Sequence, residues 1–414
     1  MRSLLPKSFP SHWKKCNISK IVFFQEGPGV RKSQFTKEGV KLLNVGNINN
    51  NELDLSTTSL YISDEEAKGK YNHFLVDEGD LLIACSGIAV DNFSNKIAFV
   101  KKEHLPLCMN TSTMRFKVLN KDELSIHFFY RYLQTNSFND QLRKLITGSA
   151  QLNFGPSHIK RIEIPLPPLP EQKRIATILD KADALHKKSK QQLAAYDELL
   201  QAVFLDMFGD PVTNPKGWEK NVIDNLCKVQ GGIQLTSRRN NLEKKVPYLR
   251  VANVYRNKLE LSEIKEMGVT EIEYKKTLLK VNDILIVEGH GNKNEIGRCA
   301  IWDGSIDGCI HQNHLIRIRV NSKTITPLFL SYFINSEGGR NQMFKTSNTT
   351  SGLNTISTGK VKKIISPLPP ITLQNKFARI VENIEAQKTL LKQSMQESKD
   401  LFNGLVQTAF TKGF

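Results

Sequence analysis

The sequence predicts an α+β protein written as two tandem repeats, each a β-rich domain followed by a long helix, with the two helices pairing as an antiparallel coiled coil. Three observations predict it. The string PLPPLPEQ at 165–172 returns as PLPPITLQ at 367–374, an offset of 202 in a chain of 414 residues. Upstream of each copy lie short β-branched runs separated by Gly/Asn turns. Downstream of each, apolar residues recur at alternating spacings of three and four.

The repeat extends through both halves in the same order, so chance does not explain it. LNVGNI at 43–48 matches LRVANV at 249–254, and GDLLI at 79–83 matches NDILI at 282–286. Cys108 matches Cys309, and RFKV at 115–118 matches RIRV at 317–320. Trp13 and Trp218 open the two copies. Runs at 80–85, 96–100 and 114–118 have strand length and composition, and 127–133 and 328–333 read as short helices. The basic runs 159–162 and 361–364, just before the proline motifs, read as strands. The expected segments are a β-rich domain at 1–155, a spacer with the first long helix at 156–210, a second β-rich domain at 211–355, and the second long helix region at 356–414.

Proline at the first turn suits each helix start, because its missing N–H costs nothing there. The first helix carries Ile175, Ile178, Ala182, Leu185, Tyr196, Leu199, Val203 and Met207, and stops at the Gly209-Asp-Pro211 breaker. The second carries Phe377, Ile380, Ile384, Leu391, Leu401 and Leu405. Polar seam positions are expected at Ser189, Gln192, Gln387, Ser394 and Ser398. About 39 residues at 1.5 Å each make a rod of roughly 58 Å, too long to bury its stripe on one small domain. Mutual antiparallel pairing is the economical solution; packing of each helix on its own globular unit is the alternative.

Composition narrows the function. Hydrophobic residues are 39% and charged residues 24%, which excludes disorder and collagen. Lys+Arg number 58 against 41 Asp+Glu, a formal charge of +17, which points to a polyanionic partner. No apolar run reaches a membrane span, and the start of the chain lacks a signal peptide. The six cysteines, at 16, 85, 108, 227, 299 and 309, form no CxxC pair and read as reduced thiols of a cytoplasmic protein.

Catalytic motifs are missing from the sequence. There is no phosphate loop of the GxxxxGK[ST] type, and GHGNKNEIG at 289–297 has the wrong spacing for one. Asp283, Glu288 and Lys293 suggest a metal-dependent nuclease cluster, but the first copy has Cys85 where the second has Glu288. Cys309, His311 and His314 suggest zinc, yet lack a fourth ligand and have no histidines in the other copy.

Two β-rich units, each followed by a PLPPLPEQ-like start and a long helix, resemble the specificity subunit of type I restriction–modification enzymes. The resemblance covers the whole chain and rests most specifically on PLPPLPEQKRI at 165–175, PKGWE at 215–219 and DILI at 283–286. The second proline motif departs from the pattern, with Thr372-Leu373 in place of Pro170-Glu171. The resemblance implies that each β-rich unit is a target recognition domain for one half of a bipartite, asymmetric site in double-stranded DNA. It implies that the helices set the half-site spacing and dock two methyltransferase subunits, with restriction/translocase subunits as further partners. On that basis the chain is no enzyme and binds no cofactor or metal. S-adenosylmethionine, ATP and Mg belong to partners that methylate adenine N6 or translocate and cleave DNA. A nuclease and a protein-binding coiled-coil scaffold are the alternatives.

Basic and amide residues in turns are the candidate DNA contacts, since Arg pairs with guanine and Asn or Gln with adenine. In the first copy they are Arg31, Lys32, Asn47, Asn49, Ser86, Lys96, Gln151 and Asn153. In the second they are Arg238, Arg239, Arg250, Asn253, Asn292, Lys293, Arg298, Gln312 and Asn313. Positions that differ, such as Asn44 and Arg250, suit discrimination between half-sites; shared ones, such as Asn47 and Asn253, suit turns or backbone contacts.

Overall fold

The computed structural model describes residues 9–413 apart from 57, 147–150, 347 and 351–352. Two compact units divide it, Met1–Ser189 with Gln393–Phe414, and Lys190–Lys392. Packing thus cuts across the sequence segments, because each unit takes part of both long helices, α1 (Leu169–Phe208) and α2 (Ile371–Thr411).

The first unit is centred on an antiparallel sheet of β1 (Val22–Glu26), β2 (Leu81–Ala84), β3 (Ile97–Phe99) and β4 (Thr113–Val118), in the order β1-β4-β2-β3. Every residue of β2 is buried, so β2 reads as a continuous apolar run with no alternation. In the second unit the same order is built from β5 (Cys227–Gly231), β6 (Ile284–Val287), β7 (Cys299–Ile301) and β8 (Leu315–Val320), as β5-β8-β6-β7. A left-handed residue opens β2 and β6 alike: Gly79 at φ +85° and Asn282 at φ +72°. The next residue, Asp80 or Asp283, accepts from the backbone N–H of Asp77 or Lys280 and closes the turn.

Pairing corrects two details of the repeat. Cys108 lies beside Leu42 in a short parallel pair, and the residue paired with the matching Tyr248 is Ile310, so Cys108 corresponds to Ile310 and not to Cys309. The basic runs expected as strands are helical turns, Pro156–Ile159 and Thr358–Lys362, with the strands Glu163–Leu166 and Ile365–Pro367 following. Ile159 with Ile162, and Val361 with Ile364, are buried three residues apart, a helical spacing. The short helices Ile126–Leu133 and Pro327–Asn335 are each followed by another, Asn136–Leu145 and Glu337–Thr346.

The proline motif earns its glutamine. Gln172 is fully buried; its amide donates to the carbonyls of Glu123 and Pro167 and accepts from Ser125 N–H, at the start of helix Ile126–Leu133. Gln374 repeats this with Thr324, Pro369 and Thr326. One side chain therefore ties each long helix to the globular unit before it.

Within each unit both long helices pack on the core. Ile175, Ala176 and Leu179 of α1 share the first unit's main core with Val406, Ala409 and Phe410 of α2. Leu200, Phe204 and Phe208 share the second unit's core with Phe377, Val381 and Ile384. In the second unit the segments run antiparallel: Tyr196 reaches Gln387, and Phe204 lies 5.6 Å from Phe377. Each core thus holds the start of one long helix together with the end of the other.

The stripe has a different phase from the one the sequence suggests. Leu185 and Leu401 are 65% exposed and Leu199 is 46% exposed, so these three do not pair helices. Leu200, Phe402 and Val406 turn toward the cores, with Tyr196, Val203, Ile380 and Leu405 part-buried against them, and Ile178, Ala182 and Leu391 are part-buried as well. Adjacent apolar pairs, such as Leu199-Leu200 and Leu401-Phe402, make either phase look equally good in sequence. The polar seam shifts as well. Gln192, Gln387, Ser394 and Ser398 are exposed and Ser189 is part-buried, whereas Lys388 is buried between Asp197 and Glu385, each 2.6 Å away. Burial alone would lower the Lys388 pKa, but the two carboxylates outweigh it and raise it.

Candidate nucleic-acid interface

One end of each four-stranded sheet gathers the loops that carry most candidates. In the first unit the ends of β1 and β2 and the starts of β4 and β3 meet there; in the second, β5, β6, β8 and β7 do the same. Gly27 and Gly232 make the close approach possible, since a Cβ on either would run into a backbone carbonyl, of Asn110 or of Gln312.

Beneath each rim lies the same buried platform. Arg115 donates to Gln25 Oε1 at 2.6 Å and to the Leu75 carbonyl at 2.6 Å. Arg317 donates to Gln230 Oε1 at 2.7 Å and to the Leu278 carbonyl at 3.0 Å. Asp80 pairs with Arg115 and Lys117, and Asp283 pairs with Arg319 at 2.6 Å. The aspartate of the motif, Asp80 in the first copy and Asp283 in the second, is therefore engaged in structure in both, which removes the nuclease cluster. Arg115 is paired with Asp80, whereas Arg317 is held by carbonyls and Gln230 alone, and the Nε of each arginine has no partner among the described residues.

On the first rim, Arg31 and Lys32 are exposed. Ser86 Oγ and Gly87 N–H both donate to Asn153 Oδ1, at 2.8 and 2.9 Å, so Ser86 and Asn153 act as one clamp on the loop. The Gln151 side chain lies outside the described residues. Asn49 is exposed and accepts from Lys96 Nζ at 2.6 Å, while Lys96 also reaches the Val45 carbonyl. Asn47 is no DNA contact: it is buried, its Oδ1 capping Asn44 N–H and its Nδ2 donating to the Asp54 carbonyl.

The second rim requires more corrections. Asn253 is buried and repeats the turn of Asn47 through Arg250 N–H and the Glu260 carbonyl. Arg298 is buried, donating to the carbonyls of Val254 and Val251 and to Glu295, as Lys96 does to Val45 in the first unit. Arg239 forms a bidentate pair with Glu273, whose carboxyl it holds down at about 2. Arg250 is paired with Glu263 at 2.7 Å. These arginines hold turns, and partners far away in sequence decided that. Arg238 and Asn292 are exposed, and Gln312 and Asn313 are half-buried at the start of β8; the Lys293 side chain lies outside the described residues.

Sequence reasoning missed Arg256 and Arg340, which both donate to the Asn294 carbonyl beneath the 289–295 loop. Burial, and then the neighbouring Arg340, lower the Arg256 pKa. A basic residue at 256 or 340 carries no local pattern that would have flagged it. The zinc reading does not assemble. His311 is fully buried with Nδ1 on the Thr277 carbonyl, while His314 is exposed 3.6 Å from Glu288. Among the described residues, no group of His, Cys, Asp or Glu converges as a metal site.

A family described as type I restriction modification DNA specificity domain matches the chain twice, over residues 10–195 and 215–398. The chain belongs to this family. Its two specificity domains coincide with the two repeats, and its role is DNA sequence specificity. The chain is 25% identical over 430 residues to the EcoKI specificity subunit of Escherichia coli (strain K12), covering 98% of this chain and 89% of that protein. It is 24% identical over 424 residues to the StySPI specificity subunit of Salmonella potsdam, with the same coverage of 98% and 89%. A chain in a solved type I R-M system, reported for its complex assembly and conformational transition, shares the fold with a TM-score of 0.60 at 15% identity, over 98% of this chain and 99% of that one. Among the described residues, no helix is long and apolar enough to cross a membrane.

Proposed function

We propose that this chain is the noncatalytic reader of a type I restriction–modification complex and that each specificity domain reads one half of a bipartite, asymmetric DNA site. The observation that carries the reading is one buried platform, present twice, under two rims of different chemistry. Asn110-Thr111-Ser112 on the first rim is Gln312-Asn313-His314 on the second. A scaffold repeated with diverged edges presents two different donor and acceptor patterns, which suits two unlike half-sites.

The net charge of +17 supplies the phosphate term that positions a reader on the duplex. Arg31, Lys32, Asn49, Ser86, Asn153, Arg238, Asn292, Gln312 and Asn313 are the contacts this reading retains, together with Gln151 and Lys293. α1 and α2 would set the half-site gap and dock two methyltransferase subunits, with restriction/translocase subunits as further partners in the cytoplasm. S-adenosylmethionine, ATP and Mg would act on those subunits. No observation favours the nuclease or scaffold alternatives.

The test is single-molecule methylation mapping of a host genome with and without this gene. Loss of a split N6-methyladenine motif on deletion supports the reading. An unchanged methylome with the methyltransferase present and expressed overturns it. Exchanging residues 1–150 for those of a relative is expected to alter one half-site and leave the other.

A further inference from the structure

Each rim carries one acid that no lysine or arginine neutralises among the described residues, and the two repeats supply it from different strands. In the first unit it is Glu26, the last residue of β1, opposite Met114 of β4. The matching residue of β5, opposite Ile316, is Gly231, which has no side chain. In the second unit the acid is Glu288, just past β6, whose N–H bonds the His314 carbonyl. Its match is Cys85, just past β2, whose N–H bonds the Ser112 carbonyl.

The two positions are neighbours. The Glu26 carboxylate acts on the buried Cys85 thiol, raising its pKa after the larger effect of burial. A carboxylate therefore occupies the same corner of both sheets, from strand β1 in one and beside strand β6 in the other. In the first unit it lies close to Gly155, two residues after Asn153 of the clamp, where an added Cβ would come 3.3 Å from Glu26 Oε2. In the second it lies beside the Gly289–His290 and Leu353–Thr355 pair, with Ile356 N–H on the Glu288 carbonyl.

Both acids are part-buried, and burial raises the pKa of each. Among the described residues, Glu26 makes no ion pair or side-chain hydrogen bond, and the counter-charge beside Glu288 is the exposed His314 imidazole at 3.6 Å. Holding such a group half out of water without a donor is unfavourable, and facing it toward phosphates is more so. A ligand that returns a hydrogen-bond donor removes both objections. In the major groove the donors on base edges are exocyclic amino groups, adenine N6 and cytosine N4.

We propose that Glu26 and Glu288 each accept a hydrogen bond from an exocyclic amino group in the major groove, one in each half of the site. This rests on the two-half-site reading above. Glutamine would still accept from an amino group, so methionine, which keeps most of the volume and removes the acceptor, is the informative substitution. The experiment uses the full chain assembled with its methyltransferase partners, as wild type, Glu26→Met and Glu288→Met, each mapped by methylome and by binding to duplexes.

Each variant is expected to relax one A or C position in one half-site and leave the other half intact. Replacing that base by purine (for adenine) or 2-pyrimidinone (for cytosine) deletes the amino group and identifies which base supplies it. That deletion is expected to weaken wild type on the order of 10-fold and the variant no further. Unchanged motifs overturn the proposal, as does equally tighter binding to every duplex, which would mean simple phosphate repulsion. A wild-type chain that directs no split motif would instead sink the two-half-site reading itself. If Glu26→Met does not fold, Glu26→Gly with Cys85→Glu copies the second unit's arrangement and should retain the wild-type base preference; loss of that preference in the folded double variant counts against the proposal.

Discussion

The two sheet ends share an interior and differ at the edge. Arg115 and Arg317 make equivalent hydrogen bonds, to Gln25 and the Leu75 carbonyl and to Gln230 and the Leu278 carbonyl. At the rim, Thr111 of the first repeat is replaced by Asn313 in the second, Ser112 is replaced by His314, and the lone acid changes strand. The difference teaches that buried polar partners change only together, whereas each rim residue answers to solvent and ligand and diverges alone. Arg115 and Gln25 are 90 positions apart in sequence, yet a change in either leaves the other buried without its partner.

Breaking the shared interior should have the largest effect. Arg317→Met leaves Gln230 and the Lys276 carbonyl without this donor, while the Leu278 carbonyl keeps Arg319; at about 1–3 kcal/mol per unmet buried group, the expected cost is about 3–5 kcal/mol. Hydrogen exchange should show lost protection in β5–β8 with β1–β4 unaffected; equal loss in both sheets would contradict local platforms.

His311 sharpens the comparison, because the first unit has Met109 in its place. Burial, and secondarily the Arg317 charge, lower its pKa to about 4, with Asp283 and the Thr277 carbonyl opposing. The unfolded value is near 6.5, so between those values the unfolded chain takes up a proton that the folded unit does not. Stability contributed by this group is complete above about pH 6.5 and falls toward pH 4, by roughly 3 kcal/mol. His311→Met should flatten that part of a urea-unfolding pH series, and a slope equal to wild type would refute the assignment.

A smaller effect is expected at the helices. Lys388→Met removes the ion layer with Asp197 and Glu385, two carboxylates that are largely exposed, so the expected loss is about 1 kcal/mol. Because the Lys388 pKa is raised, its contribution is present below the unfolded value near 10.4 and disappears as pH rises through the folded one. Denaturant midpoints at pH 7 and above pH 11 should therefore differ for wild type more than for the variant.

The smallest effect should come from the exposed leucines of the two long helices. Leu185→Gln and Leu401→Gln are expected to change stability by less than about 0.5 kcal/mol, since both side chains already face solvent. A loss of about 2 kcal/mol or more in thermal or denaturant unfolding would instead place both leucines in the helix-pairing stripe.

The duplication, the two proline-led helices and the strands DLLI and DILI were all readable from the chain alone, because each is a local pattern repeated at a constant offset. Gln172 and Gln374 were visible as letters of a motif; that they pin Ser125 and Thr326 was not. The candidate site divides the same way. That loops with Arg, Asn and Gln cluster in each repeat is a matter of composition, but that Asn47, Asn253, Arg239 and Arg298 spend those groups on turns is decided by carbonyls and carboxylates elsewhere in the fold. The phase of the helix stripe and the corner shared by positions 26 and 85 belong with them. Sequence sets which groups a residue carries; only packing sets whether a hydrogen-bond partner or water meets them, and each unmet buried group costs stability.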